Sequence, residues 1–128
     1  MTQKQALDLW LAGANDALDT AKKLFSVKKF DHCLFFVHLA LEKILKAAYI
    51  SRENSAPPLI HNLAKLAKAC GFDLTETEIK QLDEISKFNI SARYDDIKLR
   101  FYKKATIQYA TLWLTNAETL YKKFQSAL

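Results

Sequence analysis

Residues that break helices are scarce in this chain, since glycine and proline occur only twice each among its 128 residues. A β-sandwich or barrel needs a turn at roughly every ten residues, and such turns depend on these residue types. Half of the residues are hydrophobic, which is more apolar material than a disordered chain carries. Apolar side chains instead recur in steps of three and four, for example at Leu7, Leu11, Ala14 and Leu18. This pattern predicts an all-α, up-and-down helical bundle.

Turn signals divide the predicted bundle into about five helices within one domain that spans residues 1–128. Residues 26–29 separate a long first helix from a second helix over residues 30–51. Pro57 and Pro58 cannot continue a helix, so they place a loop before a short third helix, whose apolar positions run from Leu59 to Cys70.

The start of the fourth helix carries the clearest local signal in the sequence. Thr75 and Glu78 fit a capping box, and Leu74 and Ile79 fit the hydrophobic staple that accompanies it. The polar residues 91–96 then interrupt the pattern, and residues 97–101 show no clear helical face. The last long helix is therefore predicted from about Tyr102.

The second helix has apolar residues on every side, which allows two interpretations. It is either the central helix of the bundle or a helix that buries a second face against another subunit. Because Phe35, Phe36 and Leu39 point in several directions, we expect an apolar contact surface and a homodimer.

The charge, the cysteines and the N-terminal residues limit where the protein can be located and what it can bind. The formal charge of +5 permits an anionic partner without demanding one. Cys33 and Cys70 lie in no metal-ligand spacing, so we expect both to be reduced packing residues. The first ten residues lack the apolar run of a signal peptide, and no apolar stretch is long enough to cross a membrane. These features favour a cytoplasmic protein without a membrane segment.

One polar stripe runs along the second helix and is the first candidate site. It consists of Asp31, His38, Glu42 and Lys46, at spacings that place them on one face. His38 can form a hydrogen bond with Glu42, and Glu42 an ion pair with Lys46, which would let the histidine contact a phosphate or move a proton. The alternative is a polar seam that fixes how helices or subunits pack. The spacing of the histidines does not favour a metal site.

The second candidate is the segment from Arg93 to Asp96. Arginine offers a planar fork for a phosphate, and Tyr94 offers a ring on which a base can stack. The alternative is an arginine paired with Asp95 or Asp96 and a tyrosine in the core.

Two basic clusters could contact nucleic acid. The first interleaves cations with aromatic rings, as single-strand binding surfaces do, and comprises Lys98, Arg100, Phe101, Tyr102, Lys103 and Lys104. The second lies at the first turn and comprises Lys22, Lys23, Lys28 and Lys29. Basic clusters at helix ends are also favoured by the helix dipole alone, so both clusters have an ordinary structural explanation. His61 is expected to be a capping or loop-fixing residue.

Three sequence blocks, in order, resemble those of the HEPN family, the higher eukaryotes and prokaryotes nucleotide-binding domains. Residues 35–47 are similar to the family's A-x-E-K-x-L-K-A helix, and residues 61–66 to its H-x-L-x-x-L block. Residues 91–96 resemble its x-x-R-Y-P-D junction, with Asp95 where proline is usual. The resemblance implies a helical bundle that commonly dimerises and is often encoded beside a minimal nucleotidyltransferase.

Many HEPN proteins are metal-independent ribonucleases that use an arginine and a histidine separated by four to six residues. This chain lacks a histidine at that spacing from Arg52, Arg93 or Arg100. We therefore expect a non-catalytic protein without cofactor or metal, which binds a nucleotide, a nucleotidyltransferase or both. The expected nucleotide site comprises Arg93, Tyr94, Lys46, His38 and Glu42. Two alternatives stay open. One is a divergent ribonuclease toxin of a toxin–antitoxin pair, which would use Arg93 with a histidine from elsewhere in the fold, such as His38 or His61, and take RNA as its ligand. The other is a structural interaction module without a small ligand.

Overall fold

The computed structural model of the chain describes residues 1–91 and 95–128, with side chains described for all of these except residues 90, 91 and 95–97. The described residues form six α-helices and confirm the all-α class. In chain order they are α1 (Gln3–Ser26), α2 (Phe30–Glu53), α3 (Leu63–Ala69), α4 (Glu76–Ser91), α5 (Asp95–Lys104) and α6 (Ile107–Gln125).

Local signals set most of the helix boundaries. Lys28 adopts a left-handed φ of 63° in the turn between α1 and α2, and Asn54 adopts a φ of 56° where α2 ends. The predicted capping box is confirmed, because Thr75 Oγ1 accepts a hydrogen bond from the Glu78 N–H and Glu78 Oε1 accepts one from the Thr75 N–H. Asn62 and Thr106 cap α3 and α6 with one such bond each, since their side chains accept from the N–H groups of Lys65 and Tyr109.

Two parts of the predicted helix pattern are wrong. Leu59 was expected on the apolar face of the third helix, but α3 begins four residues later and Leu59 is 92% exposed. Residues 97–101 belong to an additional helix, α5. Its pattern is weak because Leu99 and Tyr102 face solvent, so that Phe101 supplies the buried contact.

The central position in the bundle belongs to α2, which packs against each of the other five helices. This arrangement confirms the first of the two interpretations of its all-round apolar character. Leu34, Leu41, Ile44 and Leu45 on α2 are fully or almost fully buried. Two polar residues of the same helix, His38 and Lys46, are also buried, and in the described part of the chain they are the only buried polar residues. Half of the predicted polar stripe therefore lies inside the protein.

Candidate functional site

Three residues of the predicted stripe lie along one side of α2, and two of them are paired. The Lys46 ammonium Nζ is 3.8 Å from Glu42 Oε2, as the spacing of four residues predicts. Only 8% of the Lys46 side chain and 12% of the Glu42 side chain are exposed. His38 lies one turn earlier and is 2% exposed. Asp31, at the start of the stripe, contacts the neighbouring His32 instead.

The histidine that contacts Glu42 comes from outside α2. His61 Nδ1 is 3.1 Å from Glu42 Oε1, and 69% of the His61 side chain is exposed. His61 precedes α3 by two residues, so the loop after the two prolines brings it onto α2. Lys46, Glu42 and His61 therefore form a line of polar contacts from the interior of the bundle to its surface.

An aromatic ring from α1 completes this cluster. The Lys46 ammonium lies 5.2 Å from the centroid of the Trp10 ring, which is within the range of a cation–π interaction. Within the described part of the chain, Glu42 supplies the carboxylate nearest to this ammonium. We call Trp10, Glu42, Lys46 and His61 the α1–α2 polar cluster.

Trp10 also lines two surface clefts beside the polar cluster. One cleft, of about 510 Å³, lies between α1 and α2 and includes Gly13 and Lys43. The other, of about 210 Å³, lies between the start of α1 and the loop at Pro57. A Cβ atom at position 13 would lie 3.2 Å from Lys43 Cδ. Because Gly13 has no side chain, the aliphatic part of Lys43 can pass close to the backbone of α1.

The sequence pattern did not identify Trp10 as a site residue, since it is 36 positions from Lys46 along the chain. A weak signal was present nearby. Glycine in a helix interior destabilises the helix by about 1 kcal/mol relative to alanine, so Gly13 within α1 indicates a close approach by another element.

Arg93 and Tyr94, the predicted phosphate and base contacts, lie outside the described residues. Their assignment stays a prediction.

The basic stretch on α5 divides between surface and core. Lys98, Arg100, Tyr102 and Lys103 are exposed, whereas Phe101 is 6% exposed and packs against Phe88. The cluster at the first turn is partly paired, since Lys23 contacts Asp19 and Lys22 lies near Glu118. Of the two aromatic rings in the first cluster, Tyr102 is therefore exposed and Phe101 belongs to the core.

Lys104 at the end of α5 joins a second polar cluster with Glu84 and Tyr109. Lys104 Nζ is 3.4 Å from Glu84 Oε1, and the Tyr109 hydroxyl donates a hydrogen bond of 2.9 Å to the same oxygen. Burial opposes ionisation of Glu84, but the Tyr109 hydrogen bond and the charges of Lys104 and Lys87 outweigh it and lower the pKa of Glu84. Burial and the adjacent carboxylate raise the pKa of Tyr109. Glu84 is therefore ionised and Tyr109 neutral near pH 7.

Among the described residues, no three His, Cys, Asp or Glu side chains converge as the ligands of a metal ion do. No helix in residues 1–91 and 95–128 combines the length and the apolar character that crossing a membrane requires.

Comparison with known protein families matches the HEPN domain to residues 7–127, which is nearly the whole chain. No curated protein and no solved structure matches this chain. The matched region runs from the first turns of α1 to beyond the end of α6, and it includes all three sequence blocks that carry the resemblance. The chain therefore belongs to the HEPN domain family.

Proposed function

We propose that this protein is a non-catalytic HEPN domain that binds a nucleotide, a minimal nucleotidyltransferase or both, and that it does so as a homodimer. Membership of the family points to a function related to nucleotides or RNA. The observation that carries the proposal is the Lys46 ammonium, which lies almost buried beside an indole ring and 3.8 Å from Glu42 Oε2. At that distance from its carboxylate, the ammonium can donate a shorter, charge-assisted hydrogen bond to a phosphate oxygen.

The described contacts suggest a division of roles within the proposed site. Lys46 supplies positive charge to a phosphate, and Glu42 positions it from the preceding turn. Trp10 offers an aromatic surface in the cleft that it shares with Lys43. His38 is too deeply buried to touch a ligand at the surface, so in this proposal it supports the helix face from inside.

Arg93 and Tyr94 remain part of the proposal on the basis of the sequence. Arg93 would supply a bidentate phosphate contact and Tyr94 a stacking face. These two residue types favour a nucleotide over a simple anion, because one binds the phosphate and the other the base.

The proposed partner and oligomeric state rest on two further arguments. Members of the HEPN family commonly dimerise, and they are often encoded beside a minimal nucleotidyltransferase. Phe35, Phe36 and Leu39 are only half-buried, although they lie on the most apolar helix of the bundle. Half-buried apolar side chains close together along one helix are typical of a contact surface, which supports a homodimer.

Calorimetric titration with ATP tests the nucleotide part of the proposal. The wild-type protein should bind ATP, and Lys46→Met and Arg93→Ala should each weaken binding about ten-fold or more, because each removes a charge-assisted contact. Arg93→Lys should restore little, since an ammonium lacks the planar fork. Lys65→Met, at an exposed lysine of α3, is the matched control and should leave the affinity unchanged. Absence of binding at millimolar ATP, or equal affinity of all variants, would contradict the proposal.

One observation favours a second function, a divergent ribonuclease. Glu42 forms a hydrogen bond with Nδ1 of His61, and the His61 side chain is 69% exposed. Nε2 of His61 makes no hydrogen bond within the described part of the chain. A carboxylate that orients a solvent-facing histidine is an arrangement suited to general base catalysis. Our proposal predicts no metal-free cleavage of single-stranded RNA by the purified protein. Cleavage that His61→Ala abolishes, and that Lys65→Met leaves intact, would establish the ribonuclease instead.

A further inference from the structure

Two basic side chains of the α1–α2 polar cluster share one carboxylate, that of Glu42. Its Oε2 lies 3.8 Å from the Lys46 ammonium, and its Oε1 lies 3.1 Å from Nδ1 of His61. Because only 12% of the Glu42 side chain is exposed, these contacts are screened less than contacts between two fully exposed groups. A change of charge on His61 is therefore felt by Lys46 through the shared carboxylate.

His61 can gain a proton and keep its contact with Glu42. A carboxylate only accepts hydrogen bonds, so Nδ1–H of His61 donates to Glu42 Oε1, and the neutral ring carries no proton on Nε2. With 69% of the side chain exposed, solvent can deliver a proton to Nε2. Histidine side chains change their charge between about pH 5 and 8.

The gain of this proton changes the net charge of the cluster. While His61 is neutral, the Glu42 carboxylate balances the Lys46 ammonium. Once His61 is protonated, two cations share one carboxylate, which leaves an excess of one positive charge. The cluster then attracts an anion more strongly.

Other charged or titratable side chains surround the cluster on α1, α2 and α3. They are Asp16 of α1, His38 and Lys43 of α2, and Lys65 four positions after His61 on α3. Aspartate and lysine side chains ordinarily keep their charge between about pH 6 and 8. Among the described residues, α4, α5 and α6 place no charged side chain in contact with Glu42, Lys46 or His61. In this set, only His38 and His61 are of a type that titrates in this range.

We propose that His61 is a positioning residue of the phosphate site, which binds anions more tightly when His61 is protonated. The protonated ring engages the Glu42 carboxylate more strongly, so that Lys46 can direct its ammonium to a phosphate oxygen. Affinity then rises as the pH falls and is lost as His61 gives up its proton. This inference rests on the proposed function, because it takes Lys46 as the phosphate contact.

The chain contains a matched control for His61. Nδ1 of His32 lies 3.0 Å from Asp31 Oδ1, 55% of the His32 side chain is exposed, and the Asp31 side chain is 12% exposed like that of Glu42. His32 precedes Lys46 by 14 positions on α2, which is about 21 Å along the helix. His32→Gln therefore removes a similar histidine–carboxylate pair and leaves the cluster intact.

The first test follows the indole N–H signal of Trp10 by NMR without any ligand. The Trp10 ring lies 5.2 Å from the Lys46 ammonium, so its signal reports on that group. The signal should shift between about pH 5.5 and 8 in the wild type and in His32→Gln. It should stay in place in His61→Gln, because glutamine keeps a hydrogen-bond donor but cannot be protonated. A shift in His61→Gln that equals the wild-type shift would overturn the proposal and point to His38.

The second test measures sulfate binding at constant ionic strength. Sulfate keeps its two negative charges throughout this range, whereas a phosphate group changes charge near pH 6, so sulfate isolates the response of the protein. The wild type and His32→Gln should bind sulfate about five-fold more tightly at about pH 6 than at about pH 8. His61→Gln should bind it equally at both, and Lys46→Met should bind it more weakly at both. Circular dichroism checks that each variant is folded.

The outcomes separate this proposal from the proposed function. Equal sulfate affinity of the wild type at both pH values would overturn the proposal, as would absence of sulfate binding at tens of millimolar. If ATP still binds and Lys46→Met weakens that binding, the nucleotide site stands without His61 as a positioning residue. A pH-dependent sulfate affinity that requires His61, in a protein that binds no ATP, would support the positioning role and contradict the nucleotide site.

Discussion

Replacing Lys46 by Met and Glu42 by Gln, singly and together, should reveal a strong energetic coupling between these two side chains. Methionine keeps most of the length of the lysine stem and removes its charge, while glutamine keeps the shape of the carboxylate. A double-mutant cycle on unfolding free energies isolates the pairwise term from the packing and hydration changes that each single variant causes.

The size of the coupling follows from the separation and burial of the pair. Two unit charges 3.8 Å apart attract each other by about 4 kcal/mol at an effective dielectric constant of about 20, and by about 1 kcal/mol in water. Because 8% and 12% of the two side chains are exposed, the pair lies between these limits. We therefore expect a coupling of about 1 to 4 kcal/mol.

The chain contains a matched control for this measurement. Lys80 and Glu76 have the same order and spacing on α4 and a similar N–O distance of 3.6 Å, but 76% and 86% of their side chains are exposed. Their coupling should be about 0.3 to 0.5 kcal/mol, as for exposed helix pairs. Urea unfolding followed by circular dichroism measures both cycles. Equal couplings in the two pairs would refute the argument that burial makes the Lys46–Glu42 pair distinctive.

Three further predictions concern stability, reactivity and assembly. Hydrogen bonds from Lys123 lower the pKa of Glu78, so Glu78 contributes stability above the ordinary glutamate pKa, and this contribution is lost as the pH falls through the lowered value. Glu78→Gln should destabilise the protein by about 1 to 2 kcal/mol at neutral pH and by less in acid, as measured by urea unfolding; an equal loss at both pH values would contradict this. Burial raises the pKa of Cys33 to about 12 and that of Cys70 to about 11, so a chromogenic disulfide reagent should label them only in denaturant, and rapid labelling of the native protein would show the assignment to be wrong. Light scattering should give twice the chain mass of 14.7 kDa for the wild type and the single mass for Phe36→Glu, whereas a monomeric wild type at tens of micromolar would exclude the proposed homodimer.

Features that depend on neighbours in the sequence were the predictable part of this fold. The capping box of Thr75 and Glu78 fixed the start of α4, because its hydrogen bonds join residues three positions apart. The contact of Lys46 with Glu42 was predictable for the same reason.

Features that depend on tertiary placement were not predictable from the pattern. Periodicity failed for α5 because Leu99 and Tyr102 are apolar residues that face solvent. The sequence likewise offered His38 as the partner of Glu42, since it lies one helical turn away, but the contact comes from His61, which the loop before α3 brings to Glu42 across 19 positions. Pairings of this kind depend on how the helices pack.

Titration of the protein with ATP, followed through the indole N–H signals of its two tryptophans, decides whether the α1–α2 polar cluster is a nucleotide site. Trp10 contacts Lys46 in that cluster, whereas Trp113 lies in the aromatic group around Phe88. A Trp10→Phe variant assigns the two signals. We predict a saturable shift of the Trp10 signal that Lys46→Met weakens about ten-fold and Lys65→Met leaves unchanged. A Trp10 signal that stays in place at millimolar ATP would contradict the proposed nucleotide site.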